Sequence, residues 1–117
     1  MGEQLAARHL VARGYEVLER NFRTRFGELD IVAASQRHLV ICEVKTRVGA
    51  PRPDWPGPLA GVGPRKRHRL RLMAREWLAA RRDRGGLRPR EIRFDAIGVC
   101  LAADGRLLSL EHVEDAF

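Results

Sequence analysis

At 117 residues the chain has room for one domain around one core, and 44% hydrophobic residues suffice to fill it. Lys and Arg total 22 against 15 Asp and Glu, a formal net charge of +7 that marks either a nucleic-acid-binding face or a solvated, Arg-rich surface. No apolar stretch approaches the ~20 residues of a membrane span and no apolar signal core opens the chain, so a soluble, cytoplasmic protein is expected.

Residues 3–13 place Leu5, Ala6 and Leu10 on one helical face with His9 beside it, and Gly14 supplies the stop. A short strand over 15–18 then leads to Asn21 and Phe22. Two strand-like runs follow, 28–34 and 38–45, separated by Ser35, Gln36 and Arg37 in the manner of a β-hairpin. The second run is apolar until Glu43, as a central strand covered on both faces would be. Cys42 within it, like Cys100 later, reads as a buried thiol of a reducing compartment.

Residues 48–64 carry five of the six prolines, together with Gly49, Gly57, Gly61 and Gly63, and are expected to form a mobile loop within the single domain 1–117. From Pro64 a helix runs to about Arg84, where Gly85 and Gly86 stop it. Its core face is Leu70, Met73, Ala74, Trp77 and Leu78, with Arg67, Arg71, Arg75 and Arg82 on a different face. Strands at 91–101 and 106–113, joined at Asp104-Gly105, complete the order α-β-β-β-α-β-β. The class is α/β, with a mixed central sheet of about five strands flanked by helices.

If Gln36-Arg37 is a two-residue turn, Asp30 lies opposite Glu43 on one face of the hairpin. Lys45 shares that face with Glu43 whatever the register, because strand side chains alternate. Adjacent carboxylates repel unless one takes a proton or a cation lies between them. A divalent ion held by carboxylates and water resolves the conflict and can activate water against a phosphate, with a nearby lysine steadying the developing charge. A plain salt bridge between Lys45 and either carboxylate is the structural alternative.

Three runs, Leu18-Glu19-Arg20-Asn21-Phe22-Arg23, Gly27-Glu28-Leu29-Asp30 and Glu43-Val44-Lys45-Thr46-Arg47, resemble the YraN-like family of uncharacterised bacterial proteins. Gly2-Glu3-Gln4-Leu5-Ala6-Ala7, Lys66 with Leu70, and Arg93-Phe94-Asp95 extend the resemblance over nearly the whole chain. That family falls in the PD-(D/E)xK nuclease superfamily and is similar to archaeal Holliday-junction resolvases. The resemblance implies a restriction-endonuclease-like core and a Mg²⁺ (or Mn²⁺) site. Asp30 and Glu43 would be its main ligands, Glu3 and Glu28 further acidic groups, and Lys45 the catalytic lysine. It also implies an endonuclease acting on DNA, branched DNA included, and a homodimer by analogy with resolvases.

Lys66, Arg67, Arg71, Arg75 and Arg47 are the candidate contacts to the DNA backbone. Trp55 either stacks on an unpaired base or pins its loop to the core. His9, His38, His68 and His112 lack metal-ligand spacing with either cysteine. The alternative function is a nucleic-acid-binding module that keeps the nuclease fold without turnover. A third is a small interaction protein whose basic face meets an acidic partner.

Overall fold

Helix α1 (Gly2–Ala12) ends as its sequence dictates. Gly14 takes φ +92°, its N–H bonds the Val11 carbonyl at 3.0 Å, and the Tyr15 N–H bonds Leu10 at 3.0 Å. This Schellman pair turns the chain directly into the sheet. The computed structural model describes residues 1–50, 52–54, 57, 63–82 and 91–117, with the Arg82 side chain outside that set. Trp55, residues 51, 56 and 58–62 of the expected mobile loop 48–64, and the Gly85-Gly86 helix stop lie outside the described residues.

The strands are β1 (Glu16–Thr24), β2 (Gly27–Ala34), β3 (His38–Val48), β4 (Glu91–Leu101) and β5 (Leu107–Val113), with helix α2 (Pro64–Arg82) between β3 and β4. They form one five-stranded sheet in the order β1-β2-β3-β4-β5. Only the β3–β4 pair is parallel, and that is the pair whose connection carries α2. The α-β-β-β-α-β-β order and the mixed sheet are as the sequence predicts. No helix among the described residues is long and apolar enough to cross a membrane.

The central strand β3 is buried from Leu39 to Cys42 because each face meets a helix. On one face Ala6 and Leu10 of α1 pack on Ile31, Ala33, Val40, Cys42, Ile97, Val99 and Leu101. On the other, Leu70, Met73, Ala74 and Trp77 of α2 pack on Leu29, Val32, Ala34, Leu39 and Ile41. Leu78 is half-buried at the margin of that core. Cys42 and Cys100 are buried and free, and the Cys100 thiol bonds the Gly49 carbonyl at 3.0 Å.

Two strands are longer than their sequences suggest. The first, expected over 15–18, continues to Thr24 across a bulge at Leu18 that breaks its alternation and hides the strand from period-two reading. β3 continues past Lys45 to Val48 because β4 pairs with it along that whole length.

Candidate functional site

The β2–β3 hairpin has the two-residue turn. The Ser35 N–H bonds the His38 carbonyl at 2.9 Å, and the pairs run from Ala34 with Leu39 to Ile31 with Cys42. Hydrogen-bonded pairs alternate down such a ladder, so the next β3 amide to face β2 after Cys42 is that of Val44. Its partner would be the Leu29 carbonyl. Instead the Val44 N–H donates to Asp30 Oδ2 at 2.8 Å. The ladder therefore stops at Ile31/Cys42, and the Asp30 carboxylate occupies the opening between the strands.

The opposite neighbour of β2 distorts at the same level. Pairing of Arg20 with Ile31 and Phe22 with Leu29 sets Asn21 across from Asp30, and Asn21 adopts φ +54°. Ile31 packs on the α1 side, whereas Leu29 and Phe22 pack on the α2 side. Side-chain alternation in the β1–β2 ribbon thus slips at Asn21/Asp30. Asn tolerates this left-handed backbone better than most residues.

Glu3 reaches the opening from the first turn of α1, and Glu28 from β2. Glu3, Glu28 and Asp30 each offer a carboxylate oxygen, and these three atoms lie within 4.8 Å of one another. Burial pushes the Asp30 carboxyl up to about 6; the Val44 amide opposes this, while the charges of Glu43, Glu3 and Glu28 add to it. Such a group holds a proton more readily than a free carboxylate does. Glu28 also makes a long ion pair to Arg23, 3.7 Å from Nε to Oε2.

Glu43 stands on β3 where the hairpin register sets it opposite Asp30, but it is not among the three clustered oxygens. Its Oε1 is held by Lys66 Nζ of α2 at 2.5 Å. Lys45 is half-buried two residues further along β3. Burial lowers its pKa first, then the neighbouring charge of Lys66; Glu43 opposes this and Arg47 adds a smaller lowering. Glu43 thus contacts Lys66 and acts on Lys45, and its charge also adds to that felt by Asp30.

The other basic candidates divide. Arg67, Arg71 and Arg75 are exposed along α2, and the Arg71 guanidinium stacks over the Phe94 ring at 5.5 Å. Arg47, further along β3, is half-buried and engaged with its surroundings.

Sequence reasoning missed two supports of this site. An added Cβ on the buried Gly2 would overlap Thr46 Oγ1, so α1 approaches β3 as closely as a glycine allows and brings Glu3 with it. The signal was a glycine in the first turn of an otherwise alanine- and leucine-rich helix. The second support is a buried network. Arg93 grips Asp95 with Nε at 2.8 Å and Nη2 at 2.9 Å, and Nη2 also donates to the Tyr15 hydroxyl at 2.6 Å. Asp95 Oδ2 lies 2.8 Å from His112 Nε2, whose Nδ1 lies 3.0 Å from His9 Nε2. Two of the histidines without metal-ligand spacing therefore tie α1 to β4 and β5.

An α/β protein with a mixed five-stranded sheet and an acidic cluster in a splayed hairpin is the class these features define. Residues 2–99 match the uncharacterised protein family UPF0102, and the chain belongs to that YraN-like family. It is similar to a UPF0102 protein of Rhodococcus jostii, 43% identical over 99% of this chain and 92% of the relative. A Streptomyces griseus UPF0102 protein is 49% identical over 89% of this chain and 82% of its own length. One from Parafrankia is 48% identical over 99% and 92%, respectively.

Proposed function

We propose that the protein is a metal-dependent nuclease that hydrolyses DNA phosphodiesters, with branched, four-way-junction-like DNA as the substrate class. The observation that carries this reading is the cluster of carboxylate oxygens around Asp30, whose carboxyl is raised to about 6, with Lys45 on the neighbouring strand and Lys66 of α2 on Glu43. Oxygen donors with excess negative charge fit a hard divalent cation such as Mg²⁺ or Mn²⁺. Asp30 and Glu43 would hold it, with Glu3 and Glu28 as further oxygens. The cation would supply Lewis acidity and acidify water.

The chain's own groups do the rest. Lys45, fixed on the same strand face as Glu43, donates to the scissile phosphate and favours the charge that builds there. Asp30 keeps one oxygen on the Val44 amide, so its carboxylate is oriented before substrate arrives. Lys66, Arg67, Arg71, Arg75 and Arg47 neutralise backbone phosphates on either side of the cut. A homodimer would present two such sites to paired strands.

Asp30→Asn, Glu43→Gln and Lys45→Ala should each lower the DNA cleavage rate by about 10³-fold or more while the fold and duplex affinity persist. Wild-type rates in all three would refute the site. The Lys66–Glu43 ion pair favours one second reading, a binding module without turnover. That reading predicts salt-sensitive DNA affinity indifferent to chelator.

A further inference from the structure

Resting on the nuclease reading above, we infer that Lys66 is a gate on the acidic site. It holds Glu43 away from the other carboxylates until a DNA phosphate takes its ammonium, so that nucleic acid and divalent cation bind cooperatively.

The carboxylates around the splayed hairpin differ in their company: three cluster together, and Glu43 is held by a lysine. Glu3, Glu28 and Asp30 bring carboxylate oxygens within 4.8 Å of one another, and Glu43 is not among them. Lys66 reaches from α2 to Glu43, and Lys45 stands two residues further along β3 on the same strand face as Glu43. The Glu43 side chain is 12% exposed and that of Lys66 31%, so their contact at 2.5 Å is better shielded than an ordinary surface ion pair. Glu43 is nevertheless set opposite Asp30 by the register of the hairpin. One carboxylate therefore serves either of two partners, and in the free protein it serves Lys66.

A phosphodiester is the anion that can change this. Lys66 sits in the first turn of α2, beside exposed Arg67, where a DNA backbone following the basic helix would pass. Phosphate oxygens brought there compete with Glu43 for the ammonium, which has three donors and no fixed geometry. Glu43, once released, faces a cluster already overloaded with negative charge. Glu43 would then add a fourth carboxylate for a cation, whose charge would offset the repulsion within the cluster. The coupling is reciprocal: a bound cation that draws Glu43 away leaves Lys66 free for phosphate. Lys66 is thus a positioning residue, acting through Glu43 rather than on the reacting atoms.

The test is Mn²⁺ binding by titration calorimetry, with and without a phosphorothioate DNA duplex that resists cleavage. Wild type, Lys66→Met, Lys66→Gln, Glu43→Gln and the Lys66→Met/Glu43→Gln double variant are compared. DNA should tighten Mn²⁺ binding by wild type about ten-fold, within the usual range for coupled sites. Both Lys66 variants should bind Mn²⁺ that tightly without DNA and gain little from it. In the Glu43→Gln background the Lys66 substitution should change nothing, since the carboxylate it restrains is gone. An equal gain with and without Glu43 would reduce Lys66 to a distant charge and overturn the gate, as would unchanged affinity in both Lys66 variants. Either result leaves the metal site standing. Absence of Mn²⁺ binding by wild type with DNA present would overturn the nuclease reading and the gate together.

Discussion

Asp30 carries a thermodynamic cost that should be measurable without any substrate. Its carboxyl is raised from 3.8 to about 6 in the folded protein, chiefly by burial. Between those values the folded state holds a proton that the unfolded chain has released. Stability contributed at this position is therefore full below about pH 4, falls as pH rises toward 6, and stays reduced above that. An asparagine side chain at this position would accept the Val44 amide equally well without the charge. Asp30→Asn should stabilise the protein at pH 7.5 by on the order of 1–2 kcal/mol, the linkage value discounted for solvent access, and by almost nothing at pH 3.5. Urea unfolding of both proteins at the two pH values measures this; an equal gain at both would remove the electrostatic cause. At this scale the sequence was informative about Asp30, Glu43 and Lys45, because strand periodicity and a two-residue turn fix which side chains are neighbours. It was silent on Asn21, whose positive φ is imposed by the slip of the β1–β2 ribbon and by no local signal. It was also silent on the partner of Glu43, since contact with Lys66 depends on how α2 lies across the sheet.

Helix α1 is the element that decides whether Glu3 belongs to the site, and it is held at both ends. Near its start Gly2 lies against Thr46 with no space for a Cβ. Toward its end His9 meets His112, which rests on the Asp95–Arg93 pair inside the protein. Gly2→Ala should destabilise by about 1–3 kcal/mol through overpacking and should weaken Mn²⁺ binding by displacing Glu3. Adding Thr46→Ala should recover most of both losses, as read by thermal melting and Mn²⁺ titration. A Gly2→Ala protein with wild-type melting and Mn²⁺ affinity would show that the close approach does not position Glu3. The His9 pKa is lowered, by burial first and then by His112 and Arg13, so this anchor is intact above pH 6.5 and weakens as pH falls from there. That direction is opposite to Asp30. The helices, the hairpin and β4 were legible because apolar spacing is clean in each. β1 was not, because an edge strand rich in Glu and Arg with a bulge at Leu18 lacks a period-two signature. The buried histidine network was not, because its members are separated by up to 103 positions along the chain.

Taken whole, the molecule sets a concentrated negative site beside a positive helix. With a net charge of +7, the chain as a whole attracts a polyanion, while Glu3, Glu28 and Asp30 form a local acidic cluster that repels one unless a cation intervenes. Membership of the UPF0102 family establishes relationship over residues 2–99 and leaves the chemistry to be read from the site. The most direct measurement is cleavage of an end-labelled four-way DNA junction, alongside linear duplex and single strand, with Mg²⁺, with Mn²⁺ and with chelator. The nuclease reading predicts cutting that requires the cation, favours the junction and disappears in Asp30→Asn. Salt-sensitive binding of the same junction, with no cutting under either metal, would contradict it and leave a DNA-binding module in its place.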